Sequence, residues 1–182
     1  MIVLRCTAKM RSAFRCPPHP DEPPAGSNPL GEWYADVERW KSRRLVVMLN
    51  GETGVVLVLP GTVRSLRRLA EAAEAQFLEL CARCGVDSPL VQEEARHLGM
   101  GFMCAPTRSR SLVGSLQLRK YEAQLGLETK DRAISDVAQT FWNGLFLPPG
   151  AARGLRYRRP VELLSQRFAE ISAVDDSSFS GD

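Results

Sequence analysis

The stretch Arg43-Arg44-Leu45-Val46-Val47-Met48-Leu49-Asn50-Gly51-Glu52-Thr53-Gly54-Val55-Val56-Leu57-Val58-Leu59-Pro60 decides the fold. Two apolar runs rich in β-branched residues, Leu45 to Leu49 and Val55 to Leu59, flank an Asn-Gly turn signal, which predicts a hairpin. Successive positions in both runs are apolar, so the two strands are expected at the centre of the sheet with both faces covered. Pro60-Gly61 ends the second strand, because proline cannot continue the ladder.

Upstream, Ile2 to Arg5 reads as a short strand, and Cys16 to Pro29 holds six of the twelve prolines. Proline removes backbone donors and restricts the residue before it, so this segment is a loop or arm. Trp33, Val37 and Trp40 follow at spacings of four and three, which places them on one face of a helix.

Downstream, Val63, Leu66, Leu69, Ala73, Phe77, Leu80 and Cys84 recur every three or four residues. They predict one long amphipathic helix over Thr62 to Cys84, with Thr62 as N-cap and Gly85 just past its end. Ser88-Pro89 opens another helix in cap-then-proline order, and Gly99 stops it. Gly101 to Ala105 reads as a strand, and Leu112 to Leu125 as a helix ending at Gly126. Lys130 to Phe146 carries the cleanest apolar stripe, and Pro160 to Ile171 forms a last helix.

The fold class is therefore α+β: a small mixed or antiparallel sheet of about four strands with a central hairpin, packed by five or six helices. One domain is expected over residues 1–173, with 17–29 a proline-rich loop or arm and 174–182 a disordered acidic tail. At 182 residues and 44% apolar content the chain can bury a core without staples.

No stretch reaches the roughly 20 apolar residues needed to cross a bilayer, and the basic start MIVLRCTAKMRSAFR lacks a secretory apolar centre. A cytoplasmic protein is expected, with five reduced cysteines and no disulfide framework. The net charge of +3 is unevenly spread: residues 105–160 carry ten Lys/Arg against four Asp/Glu. That segment suggests an anionic partner, although basic faces are often merely solvated.

Four elements carry a resemblance: MIVLRCTAKM, LGEWYADV, the hairpin itself, and SRSLVGS before a helix. Together they resemble a bacterial family known as a domain of unknown function, with a Cys-Thr-x-Lys start, a Gly-Asp-Trp-Tyr-Ala element and a Ser-Arg-Ser-x-x-Gly-Ser stretch. The matching positions are Cys6, Thr7, Lys9, Gly31, Trp33, Tyr34, Arg44, Asn50, Ser109, Arg110, Ser111, Gly114 and Ser115, over residues 1 to about 125. Where the family continues with Met-Asn-Asp, this chain has Leu116-Gln117-Leu118 and loses a carboxylate. The resemblance implies no activity.

Arg108, Ser109, Arg110, Ser111, Gly114 and Ser115 run from a strand end into a helix start. A helix N-terminus presents unpaired N–H groups, and with the hydroxyls and guanidiniums it would hold a phosphate. Lys9 and Arg44 could complete the charge. The plainer reading makes Ser109 or Ser111 an N-cap worth about 1 kcal/mol. The Gly-Lys-Ser/Thr ending of a P-loop is missing.

Arg153, Arg156, Tyr157, Arg158 and Arg159 interleave an aromatic with arginines, a composition suited to nucleic-acid contact. Trp33, Tyr34 and Trp40 could stack a base, but core packing explains the same spacing. Cys81-x-x-Cys84 lies inside a helix with Cys84 on its apolar stripe, so no metal is expected there, even with Cys6, Cys16, Cys104 or His97 as further ligands. No other cofactor is expected. Neither a nucleophile elbow nor a His-Glu-x-x-His motif occurs.

Three functions follow from these readings. The first is a phosphate- or nucleic-acid-binding module. The second is an enzyme acting on a nucleotide or other phosphorylated small molecule. The third is a protein-interaction subunit that uses the proline-rich arm.

Overall fold

The computed structural model describes residues 1–16, 23–24, 26–129, 132–147 and 157–178. In chain order the elements are β1 (Ile2–Cys6), α1 (Ala8–Phe14), β2 (Trp33–Trp40), β3 (Arg43–Asn50), β4 (Val56–Pro60), α2 (Val63–Leu66) and α3 (Leu69–Cys84). Then come α4 (Pro89–Gly99), β5 (Phe102–Pro106), α5 (Arg110–Thr129), α6 (Ile134–Trp142) and α7 (Pro160–Ser178). The α+β class holds, with a mixed sheet of five strands rather than four, ordered β4-β3-β2-β1-β5. β1 pairs in parallel with β2 and β5, while β2, β3 and β4 form an antiparallel meander. There are seven helices among the described residues, with α1, α3, α5 and α6 packed on the sheet, α4 on α3 and α7 on α6.

The fifth strand is the segment read as a helix. Trp33, Ala35 and Val37 point to one face of the sheet and are fully buried; Tyr34 and Asp36 point to the other and are buried too. With both faces covered, the period-two signal vanishes from the sequence, and Trp33, Val37 and Trp40 fall into helical spacing by coincidence. Trp33 belongs to the core: its ring meets Phe77 edge-on at 6.3 Å, and Phe77 meets Trp142 at 6.0 Å.

The hairpin forms as expected, but its turn is a loop organised by Asn50. The Asn50 Oδ1 accepts from Thr53 N at 2.9 Å and Thr53 Oγ1 at 2.8 Å, and Nδ2 donates to Leu30 O at 2.8 Å. β4 is an edge strand, contrary to the expected central position. Its apolar faces are nonetheless buried, because α3 and α6 pack on it.

The long helix predicted from Thr62 is broken. Thr62 caps α2 through Ser65 N at 3.1 Å, then Arg68 leaves helical geometry at φ −117 before α3 begins. Leu66 and Leu69 both reach the core, so the apolar spacing survives the break that periodicity cannot detect. Gly85 ends α3 in the left-handed conformation and Ser88 caps α4, both as expected.

α5 runs through Gly126 rather than ending there, and the missing side chain lets Val137 of α6 approach. α6 ends at Trp142, short of Phe146, which instead bridges to Arg158. α7 continues past Ile171 to Ser178, into the segment expected as an acidic tail. Residues 17–22 and 25 of the proline-rich arm, and 179–182, lie outside the described residues. No helix is long and apolar enough to cross a membrane, among the described residues.

Between the arm and β2, the fully buried Glu94 on α4 gathers the chain. Its oxygens accept from Asn28 Nδ2, Leu30 N at 3.0 Å and Trp33 Nε1 at 2.9 Å. Burial raises the carboxyl above its usual range against these donors.

A cleft at the start of α5 and a charged row along β2

Glu32, just before β2, and Tyr34, Asp36 and Glu38 within it alternate onto the face that α5 covers. In a strand this is the expected consequence of period two. A row of cations opposes them. Arg5, 1% exposed in the middle of β1, donates to Glu32 Oε1 from Nε at 3.0 Å and Nη2 at 2.6 Å. Arg108 Nη2 reaches the same oxygen at 3.1 Å from the strand-to-helix connection. Two guanidiniums therefore share one carboxylate oxygen.

Further along, Lys120 of α5 donates to Asp36 Oδ2 at 2.5 Å and Glu38 Oε2 at 3.0 Å, and Lys9 donates to Glu38 Oε1 at 2.6 Å. Gln117 Nε2 adds a bond to Asp36 at 3.2 Å, and Thr7 donates its hydroxyl to Asp36 Oδ1. The Thr7 oxygen also accepts from Met10 N, so one side chain caps α1 and fixes the buried acid. Burial works against ionisation of Glu38, yet the ammonium groups of Lys9 and Lys120 outweigh it and hold the carboxyl at about 2. The same network raises Lys120 against the effect of its own burial.

The row opens into a cavity of about 630 Å³ at its Glu32 end, lined by Glu32, Tyr34, Gly51, Glu52, Arg108, Ser109 and Leu112. Gly51 brings the hairpin loop close: a Cβ there would stand 3.4 Å from Leu112 and 3.5 Å from Tyr34. Burial, then the Glu32 charge, raises the Tyr34 phenol above its ordinary value, and a hydrogen bond with Arg108 opposes them. On the far rim Arg167 pairs with Glu52 at 3.0 Å.

Of the residues expected to hold an anion, Arg108 and Ser109 line this cleft. Ser109 Oγ accepts from Leu112 N at 3.3 Å, so it is the N-cap of the plainer reading while also facing the cavity. Arg110 and Ser111 stand exposed on the first turn, with no protein partner for their amides among the described residues. Gly114 is exposed with open space around it, and Ser115 is half-buried one turn on.

Lys9 and Arg44 do not join them. Lys9 is bound to Glu38, and Arg44 lies six residues before Asn50 on β3; each is about 20 Å along the strands from the cleft. The Glu32, Glu52 and Arg5 contribution was not foreseen. Its one trace in the sequence is an arginine inside the apolar run of β1, which a buried strand tolerates only with a partner.

Tyr157 is exposed, Arg158 bonds Gln166, and Arg159 stands 4.0 Å from Glu162, while Arg153 and Arg156 lie outside the described residues. Trp40 is half-buried with Lys41 Nζ 5.6 Å from its ring, so no stacking platform forms with Trp33 and Tyr34, which face opposite ways. Cys81 is buried on α3 and its thiol is pushed up to about 12 by burial; Cys84 is half-buried against the core. The cysteines that do converge are Cys6, Cys16 and Cys104, whose sulfurs lie within 4.8 Å of one another. Mutual hydrogen bonding with Cys6 leads the causes that lower Cys16 to about 6, with the Arg11 charge contributing.

An α+β domain with an internal ion-pair row and a cleft at a helix start is the class these features define. The chain belongs to the family described as "Domain of unknown function (DUF6933)", whose model matches residues 3–163. The chain's own Cys6-Thr7-x-Lys9 stretch has a physical account: Cys6 joins the sulfur cluster, Thr7 caps α1 and binds Asp36, and Lys9 binds Glu38. Leu118 is 53% exposed, whereas Gln117 beside it bonds Asp36. No curated protein matches the sequence. Among solved structures the chain is similar to the catalytic core domain of BIV integrase at 14% identity and a TM-score of 0.40, covering 79% of this chain and 96% of that one. At that score the likeness carries no functional argument.

Proposed function

We propose that the chain binds a small phosphate-bearing ligand in the cleft at the start of α5. The observation that carries this reading is the pair of guanidiniums, Arg5 and Arg108, on a single Glu32 oxygen beside the open first turn of a 20-residue helix. Arg108 brings a guanidinium to the cleft wall, and the amides of the first turn of α5 add partial positive charge beside it. Arg108, 59% exposed at its side chain, is the group that reaches the ligand. Tyr34 and Leu112 supply an apolar wall, and a volume of about 630 Å³ suits a nucleotide-sized molecule.

The carboxylates Glu32 and Glu52 at the mouth disfavour an extended polyanion, and the described arginines of the second basic cluster are already engaged by α7. A small ligand is therefore preferred over nucleic acid.

The test is thermal unfolding with inorganic phosphate, nucleotides and sugar phosphates, alongside fluorescence anisotropy with labelled RNA and DNA over a salt series. One of the small ligands raises the midpoint by mass action, and Arg108→Ala removes that rise without lowering the ligand-free midpoint. Failure of every small ligand, or a rise that persists in the variant, overturns the proposal. Tight, salt-sensitive RNA or DNA binding without a small-ligand response favours the nucleic-acid module instead.

A further inference from the structure

We infer that Cys6, Cys16 and Cys104 form a site for one thiophilic closed-shell metal ion, Zn(II) or Cu(I). The three residues come from separate places in the chain and are brought together by the fold. Cys6 ends β1, and Cys104 sits in β5 opposite Leu4, two residues back on the same face, so the β1–β5 register sets those two side by side. Cys16 follows α1, where Arg15 adopts the left-handed conformation at φ 53 and Cys16 N bonds Arg11 O at 3.1 Å. That helix ending turns the chain back over the strand ends, a standard use of a left-handed residue after a helix.

All three sulfurs lie within 4.8 Å of one another, and none is in a disulfide. Metal–sulfur bonds of about 2.3 Å place the sulfurs of a three-thiolate site about 4 Å apart, so the cluster closes on an ion with small side-chain rotations. Cys6 and Cys104 are buried and Cys16 is half-buried, which gives a rigid floor and one ligand at the surface as a way in. Soft thiolates select Zn(II) and Cu(I) over hard cations. Binding releases the thiol protons to solvent, and the three thiolates then carry an excess negative charge over the ion. Arg11 lies beside them, with a buried Nε that has no hydrogen-bond partner among the described residues. The site is on the opposite face of the sheet from the Arg5 and Arg108 cleft, because Cys6 and Arg5 are neighbours on one strand.

The experiment is anaerobic titration of the reduced full chain with Zn(II), with Cu(I), and with Cd(II) as the spectroscopic probe. One ion per chain is expected, with a sulfur-to-cadmium charge-transfer band and a raised unfolding midpoint. Cys16→Ser, at a half-buried position, retains the fold by far-UV circular dichroism and weakens capture by at least the roughly 10–100-fold that loss of an outer partner costs a metal site. The double variant Cys81→Ser with Cys84→Ser binds as the parent does. No band at equimolar Cd(II), capture unchanged in Cys16→Ser, or capture lost in the Cys81 and Cys84 variant overturns the inference. Formation of a Cys6–Cys16 disulfide under mild oxidation by a chain that takes up no ion overturns it in favour of a redox pair.

Discussion

Gln76 of α3 grips the edge of the sheet at Val58: its Oε1 accepts from Val58 N at 2.8 Å and its Nε2 donates to Val58 O at 2.7 Å. A side-chain amide thus stands in for the next strand, and Trp142 Nε1 does the same for Val56 O at 2.9 Å. An unpaired edge is otherwise a template for association with another chain.

Gln76→Glu replaces the donor by an acceptor facing Val58 O, and Gln76→Ala leaves both groups of a buried residue unpaired. Each is expected to cost about 1–3 kcal/mol. The difference in urea midpoint at constant slope measures it, and dynamic light scattering follows the association of an exposed edge.

Lys120 and Asp36 are 6% and 2% exposed, so removing one partner strands a charge. Lys120→Met is expected to destabilise by about 3–5 kcal/mol, and combining it with Asp36→Leu to recover most of that loss, since the buried acid goes with its partner. A double-mutant cycle in chemical denaturation gives both numbers.

Glu38 and Glu94 link stability to pH with opposite signs. The depressed carboxyl of Glu38 contributes stability above its usual 4.5, which is lost as pH falls from there through about 2. Glu94 is raised above 4.5, so its contribution is present below that value and fades as pH rises through the folded value. Glu38→Gln therefore flattens the fall in unfolding midpoint between pH 4.5 and 2. An unchanged slope there would remove Glu38 from the account.

Gly54 sits at φ +73, and a Cβ there would lie 2.3 Å from the Phe146 ring. Gly54→Ala combines a left-handed backbone with overlap against a buried aromatic, and is expected to cost about 1–3 kcal/mol or more. Gly85, also left-handed but with nothing within 4 Å, serves as the comparison, because Gly85→Ala bears only the backbone term. Thermal unfolding of the two variants separates the terms.

Much of the architecture was legible in local chemistry. The apolar runs around Asn50-Gly51, the strand at Ile2, the Ser88-Pro89 cap and Gly85 each act over a few residues, so their outcome is written where they stand. So was an N-cap at Ser109 or Ser111, of which Ser109 takes the role by accepting from Leu112 N at the start of α5. β2 was not legible, because burial on both faces erases its alternation, and neither was the break at Arg68, because the apolar spacing continues across it.

Only the tertiary structure decided which charges meet. Lys9 and Arg44 belong to the far end of the β2–β3 pair, whereas Glu32 enters the cleft with Arg5 buried behind it, and Cys6, Cys16 and Cys104 converge although nothing in their spacing links them. The reason is that strand order and register set these distances, and register depends on the sum of many packing contacts rather than on any residue's own preference. Local propensity names the elements; the shared core determines which ends of them come together.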